Sequence, residues 1–70
     1  MAEYHWKRVV QVFLRWGLVI TRQTDNHLVL TRPDLSRPVI VPKYTNIQDD
    51  ILASNLRTIG RTKKDFRAEY

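Results

Sequence analysis

Leu18-Val19-Ile20-Thr21-Arg22-Gln23-Thr24-Asp25-Asn26-His27-Leu28-Val29-Leu30-Thr31-Arg32 is the stretch on which the fold of this chain turns. Leu18 to Thr24 is rich in β-branched residues and reads as a strand. Asp25-Asn26 then reads as a two-residue turn, because both side chains tolerate the positive φ that a type I′ hairpin demands. His27 to Arg32 is the returning strand. Such a turn pairs Thr24 with His27 and places Arg22 on the same sheet face as His27. A slip of one residue would move Arg22 to the opposite face.

Working outward toward the N-terminus, residues 4 to 16 predict an amphipathic helix. Trp6, Val9, Val10, Phe13 and Trp16 recur at helical spacing, with Lys7, Arg8, Gln11 and Arg15 on the other side. Gly17 is its expected left-handed stop. Toward the C-terminus, Arg32-Pro33-Asp34-Leu35-Ser36-Arg37-Pro38 is a second turn made by its prolines. Val39-Ile40-Val41 is a third short strand closed by Pro42. Thr45 or Asn46 is expected to cap the next helix, with Asp49 and Asp50 in its first turn, where the helix dipole favours acids. Ile47, Ile51, Leu52, Leu56 and Ile59 form its apolar stripe, and Gly60 ends it. Thr62-Lys63-Lys64-Asp65 has the form of a capping box opening a last short helix anchored by Phe66.

The order is α-β-β-β-α with a short C-terminal helix, an α+β fold. A three-stranded antiparallel sheet with its helices on one face is the economical solution. Val9, Val10, Phe13, Ile51, Leu52, Leu56 and Phe66 are expected to be core. The other sheet face is left open, and a polymer can lie there.

Composition bounds the function. Seventy residues make one small domain, residues 1–70. A chain of this size buries only about 60 % of the surface that its unfolded form exposes, so a shallow surface site is expected rather than a deep pocket. The absence of cysteine excludes disulfides, thiolate metal sites and thiol nucleophiles. His5 and His27 lack metal-ligand spacing. Gly17 and Gly60 are the only glycines, too few for a phosphate-cradling loop. The short apolar runs offer no signal peptide or membrane span, so a cytoplasmic protein without a small-molecule cofactor is the default. Twelve Lys and Arg against seven Asp and Glu give a net charge of +5, which points to an anionic partner such as nucleic acid. Tyr4, Trp6, Trp16, Tyr44 and Tyr70 lie among the basic residues, as stacked bases would need, although some of them must be core.

Proton chemistry, if the chain performs any, falls to His27, since imidazole alone has an unperturbed pKa near neutrality. The plainer reading is a polar strand residue paired across a hairpin. Arg22 likewise reads either as the cation beside His27 or as an ordinary strand surface charge.

The ordered set comprises the helix ending in Gly17-Leu18, Arg22-Gln23 followed by His27, Val41-Pro42-Lys43-Tyr44, and Leu56-Arg57-Thr58-Ile59-Gly60-Arg61-Thr62-Lys63-Lys64-Asp65-Phe66. That set resembles the HicA-type toxins of bacterial and archaeal toxin–antitoxin pairs, the YcfA-like mRNA interferases. The resemblance covers nearly the whole chain. It implies a fold similar to double-stranded-RNA-binding domains and a metal-independent endoribonuclease that cleaves mRNA. It also implies that the histidine, His27 here, is essential and that a HicB-type antitoxin protein is the partner. In RNA cleavage His27 is the candidate general base for the ribose 2′-hydroxyl. Arg22, Lys43 and Tyr44 are the residues expected to contact RNA, with Lys43 or Tyr44 also placed to supply the leaving-group proton. Asp25-Asn26 stand where the family usually has Gly-Ser, and Tyr44 stands where many members carry a second histidine. The alternative function is a catalytically degenerate module of the same fold that binds RNA or its antitoxin without cleaving. Duplex RNA suits the chain less well, because its penultimate helix opens with the acidic Asn46-Ile47-Gln48-Asp49-Asp50 rather than a basic cluster.

Overall fold

A computed structural model describes residues 4–70. It has three helices and one three-stranded antiparallel sheet, in the order α1 (Trp6–Arg15), β1 (Val19–Gln23), β2 (His27–Thr31), β3 (Val39–Pro42), α2 (Asp49–Ile59) and α3 (Lys63–Glu69). The strands lie in sequence order, so β2 is central and β1 and β3 are the edges. Among the described residues no helix is long and apolar enough to cross a membrane.

The three helices form in the expected order. Val9, Val10, Val12 and Phe13 bury the inner face of α1, and His5 caps it by accepting the Lys7 N–H on Nδ1 at 3.2 Å. Gly17 takes φ +90° and turns the chain directly into Leu18 and β1. Gly60, at φ +84°, closes α2, with the Gly60 and Arg61 N–H groups both donating to the Leu56 carbonyl. At the start of α3 the capping box is complete: Thr62 Oγ1 accepts the Asp65 N–H at 3.1 Å, and Asp65 accepts the Thr62 N–H at 3.2 Å. Phe66 is thereby seated in the core against Tyr4, Phe13, Trp16 and Tyr70.

Leu28 and Leu30 of β2 and Val39 and Val41 of β3 join the buried helix residues in one cluster. Val9, Val10, Phe13, Leu52, Leu56 and Phe66 are buried in it as expected, and Ile51 packs against its margin. The opposite sheet face carries no helix residues of that cluster.

Two local expectations are corrected. First, α2 does not start at a Thr45 or Asn46 cap. Its N-cap is Gln48, which makes no side-chain cap bond. The reason is a competing attachment to the N-terminal segment: Trp6 N–H donates to the Tyr44 carbonyl, Ile47 N–H to the Tyr4 carbonyl, and Tyr4 N–H to Asn46 Oδ1. These bonds hold the chain extended through Ile47, whose side chain is buried just ahead of the helix. Ile47 and Leu52 then occupy the N′ and N4 positions of a hydrophobic staple, and both are buried. Second, the Asp25-Asn26 turn is not type I′, since neither residue has positive φ. Its two-residue length and the Thr24–His27 pairing are as expected, with Thr24 N–H donating to the His27 carbonyl at 2.9 Å. The Thr24 hydroxyl accepts the N–H groups of Asn26 at 3.3 Å and His27 at 3.1 Å, a local bonding that closes the loop without positive φ. A register shift between Ile20 and Arg22 leaves Thr21 as a bulge, which supplies twist that a primed turn would otherwise provide. As expected of some of the aromatics, Tyr4 is a core residue and Trp6, Trp16 and Tyr70 pack against the cluster, while Tyr44 is exposed.

Candidate functional site

The alternation of β2 decides what the open face presents. With Leu28 and Leu30 buried, His27, Val29 and Thr31 point the other way. Arg22 of β1 is the partner of Val29, and Ile40 of β3 is its partner on the other side. Arg22, Val29 and Ile40 therefore form one row straight across the sheet, with His27 beside it next to the hairpin turn. Despite the bulge, the register at this end keeps Arg22 on the face of His27, as the hairpin reading required.

These side chains enclose a shallow, open cavity of about 240 Å³, lined by Arg22, Thr24, His27, Val29 and Ile40. His27 is exposed, and among the described residues its imidazole has no hydrogen-bond partner. Arg22 is exposed and has no carboxylate partner among the described residues, whereas Arg15, Arg32 and Lys63 each pair with an acid elsewhere. The cavity thus combines one imidazole, one uncompensated guanidinium and a hydroxyl over an apolar floor. Such a set can move one proton and stabilise one anion. No group of three or more potential metal ligands occurs among the described residues.

Lys43 and Tyr44 are not part of this lining. Lys43 N–H donates to the Asn26 carbonyl at 2.9 Å, so its backbone lies against the hairpin turn. Its side chain runs toward α1, with Nζ 5.5 Å from the centre of the Trp6 ring, where Lys7 also lies at 5.7 Å. His5 stacks on that same ring. Tyr44 is 53 % exposed, and its carbonyl accepts the Trp6 N–H. The structure therefore brings Arg22 and His27 together and sets Lys43 and Tyr44 in a neighbouring basic–aromatic patch beyond the turn.

Thr24 and Ile40 belong to the site although nothing in the sequence singled them out. Thr24 was legible as the last strand residue and as the partner of His27, and its hydroxyl acquires a role once the turn closes on it. Ile40 was legible as strand, but its 51 % exposure depends on which face of β3 the helices cover. Comparison of the chain with protein-family models, with curated proteins and with solved structures finds no match.

Proposed function

We propose that the protein is a metal-independent endoribonuclease toxin of the HicA type, on a fold similar to double-stranded-RNA-binding domains, acting on single-stranded mRNA at the His27 cavity. The observation that carries this reading is the placement of His27 on an open sheet face beside Arg22, which has no acid partner among the described residues. RNA brings its own nucleophile, so a small open site is sufficient. His27 takes the proton of the ribose 2′-hydroxyl, and the 2′-oxygen attacks the adjacent phosphorus. Arg22 stabilises the charge that develops on the phosphorane oxygens. The bond from phosphorus to the 5′-oxygen then breaks, leaving a 2′,3′-cyclic phosphate. A guanidinium is no acid at ordinary pH. With Lys43 and Tyr44 outside the cavity, the departing oxygen takes its proton from the water that an open site admits. An exposed basic face of this kind also suits docking of an acidic antitoxin protein.

The second reading is a module of the same fold that binds RNA or an antitoxin without cleaving. Among the described residues no group orients the His27 imidazole, which favours this reading, since general bases are commonly held in place by a third residue. Metal-free incubation of a defined single-stranded RNA with wild type and His27→Ala separates the two. Fragments ending in 2′,3′-cyclic or 3′-phosphate from wild type alone support the ribonuclease. Intact RNA in both samples with retained binding supports the module.

A further inference from the structure

Ile40 borders two concavities. Beyond the His27 cavity lies a second, of about 250 Å³, on the outer side of β3, lined by Arg37, Pro38, Ile40, Ser54, Asn55 and Thr58. Its groups are mostly hydrogen-bond donors. Arg37 Nε donates to the Thr58 hydroxyl at 3.4 Å, and that hydroxyl donates to the Ser54 carbonyl at 3.2 Å. Asn55 Nδ2 donates to the Ile40 carbonyl at 3.2 Å. The terminal nitrogens of Arg37, the Ser54 hydroxyl and the second Asn55 N–H remain unengaged among the described residues. No carboxylate lines the cavity, and none pairs with Arg37 among the described residues. A guanidinium without an acid, beside neutral donors in a concavity, is matched by an anion with several oxygens, and a phosphodiester above all.

We propose that Arg37, Ser54 and Asn55 form a second phosphodiester subsite, which holds the backbone of single-stranded RNA beyond the His27 cavity and across Ile40. The identity of the polymer rests on the ribonuclease reading; the anion chemistry does not. Arg22 and Arg37, neither of which pairs with an acid among the described residues, stand on either side of an apolar strip made by Val29 and Ile40. Phosphates at the two ends, with a sugar or base edge over the strip between them, satisfy both at once. The Asn55 bond to Ile40 engages an edge carbonyl of β3, which opposes addition of a partner strand there.

The test measures binding of a fully 2′-O-methylated single-stranded oligoribonucleotide, which cannot be cleaved, across a range of salt. Arg37→Gln should weaken binding roughly fivefold at low salt, the upper end for an exposed charge contact. It should also reduce the log–log salt slope by about 0.7, one phosphate's worth. Ser54→Ala should weaken binding less and leave the slope unchanged, and the control Arg67→Gln should alter neither. An Arg37→Gln slope equal to that of wild type overturns the subsite. Inorganic phosphate moving the Arg37 side-chain N–H resonance as far as the oligonucleotide does at equal concentration also overturns it, by making the cavity a free-anion site. The two readings fail separately. Cleavage of unmodified RNA by wild type with no Arg37→Gln effect on binding removes the subsite alone, and an Arg37→Gln binding deficit without cleavage of unmodified RNA by wild type removes the ribonuclease alone.

Discussion

The Thr24 hydroxyl accepts the backbone N–H of His27 at 3.1 Å, so the residue that closes the hairpin also sets where the imidazole leaves the sheet. The same hydroxyl accepts the Asn26 N–H, and the turn needs no positive φ. Thr24→Val keeps the strand preference but removes this acceptor. It should cost about 1 kcal/mol in denaturant unfolding, while Thr24→Ser costs less. Replacing Asp25-Asn26 by Asn-Gly, the favoured type I′ pair, should bring no gain in stability. A marked gain would show that the turn is primed after all.

On the ribonuclease reading, one protonic group works in the cavity. The cleavage rate should therefore rise with pH to a plateau, without the descending limb that a second, acidic partner would impose. A bell-shaped profile would require a proton donor that the cavity lining does not contain. Arg22→Ala should lower kcat, because the phosphorane charge loses its cation. Lys43→Ala and Tyr44→Phe should act mainly on KM, since both lie in the patch beyond the turn. Equal losses in kcat from all three would mean that the substrate closes the patch over His27.

Arg32 joins the ends of two helices. Its guanidinium donates to the carbonyl of Trp16, the C-cap of α1, at 2.7 Å and reaches that of Ile59, the last residue of α2, at 3.5 Å. A cation between two helix C-termini meets the negative ends of both dipoles. Asp34 holds the guanidinium in place with oxygens at 2.6 Å and 3.0 Å. Arg32→Met should destabilise the fold by about 2 kcal/mol through the lost charge-assisted bonds. Arg32→Lys should recover only part of that, because an ammonium lacks the planar fork. Urea denaturation of the three proteins measures the difference.

Two carboxyls tie stability to acid pH. The hydrogen bond from Arg32 holds the Asp34 carboxyl below the ordinary aspartate range, and the Thr62 backbone N–H does the same for Asp65. A depressed folded-state pKa contributes stability that is present above the unfolded value, about 3.9 for aspartate, and is lost as pH falls through the folded one. Tm should therefore drop on acidification below about pH 4. The combined Asp34→Asn and Asp65→Asn variant should have a lower Tm at neutral pH and a flatter acid limb. A variant whose acid limb is as steep as that of wild type would place the pH dependence elsewhere.

What the sequence determined by itself was local. Gly17 and Gly60 end helices because a left-handed residue must stand there. Thr62 and Asp65 cap α3 because their reciprocal bonds span only three residues. The alternation through β2 set the shared face of Arg22 and His27, since strand period and loop length are properties of the segment. Tertiary structure decided the rest. Pairing of Tyr4–Trp6 with Tyr44–Ile47 delayed α2 to Asp49 and left Tyr4 buried. The direction of Lys43 was decided by Trp6, which lies 37 positions earlier in the chain. Arg32, Arg37 and Ile40 looked like ordinary loop and strand residues until distant segments packed around them. A hydrogen bond to a neighbour is written in the spacing of residues, whereas one to a remote helix end exists only once the chain has paid the entropy of bringing the two together.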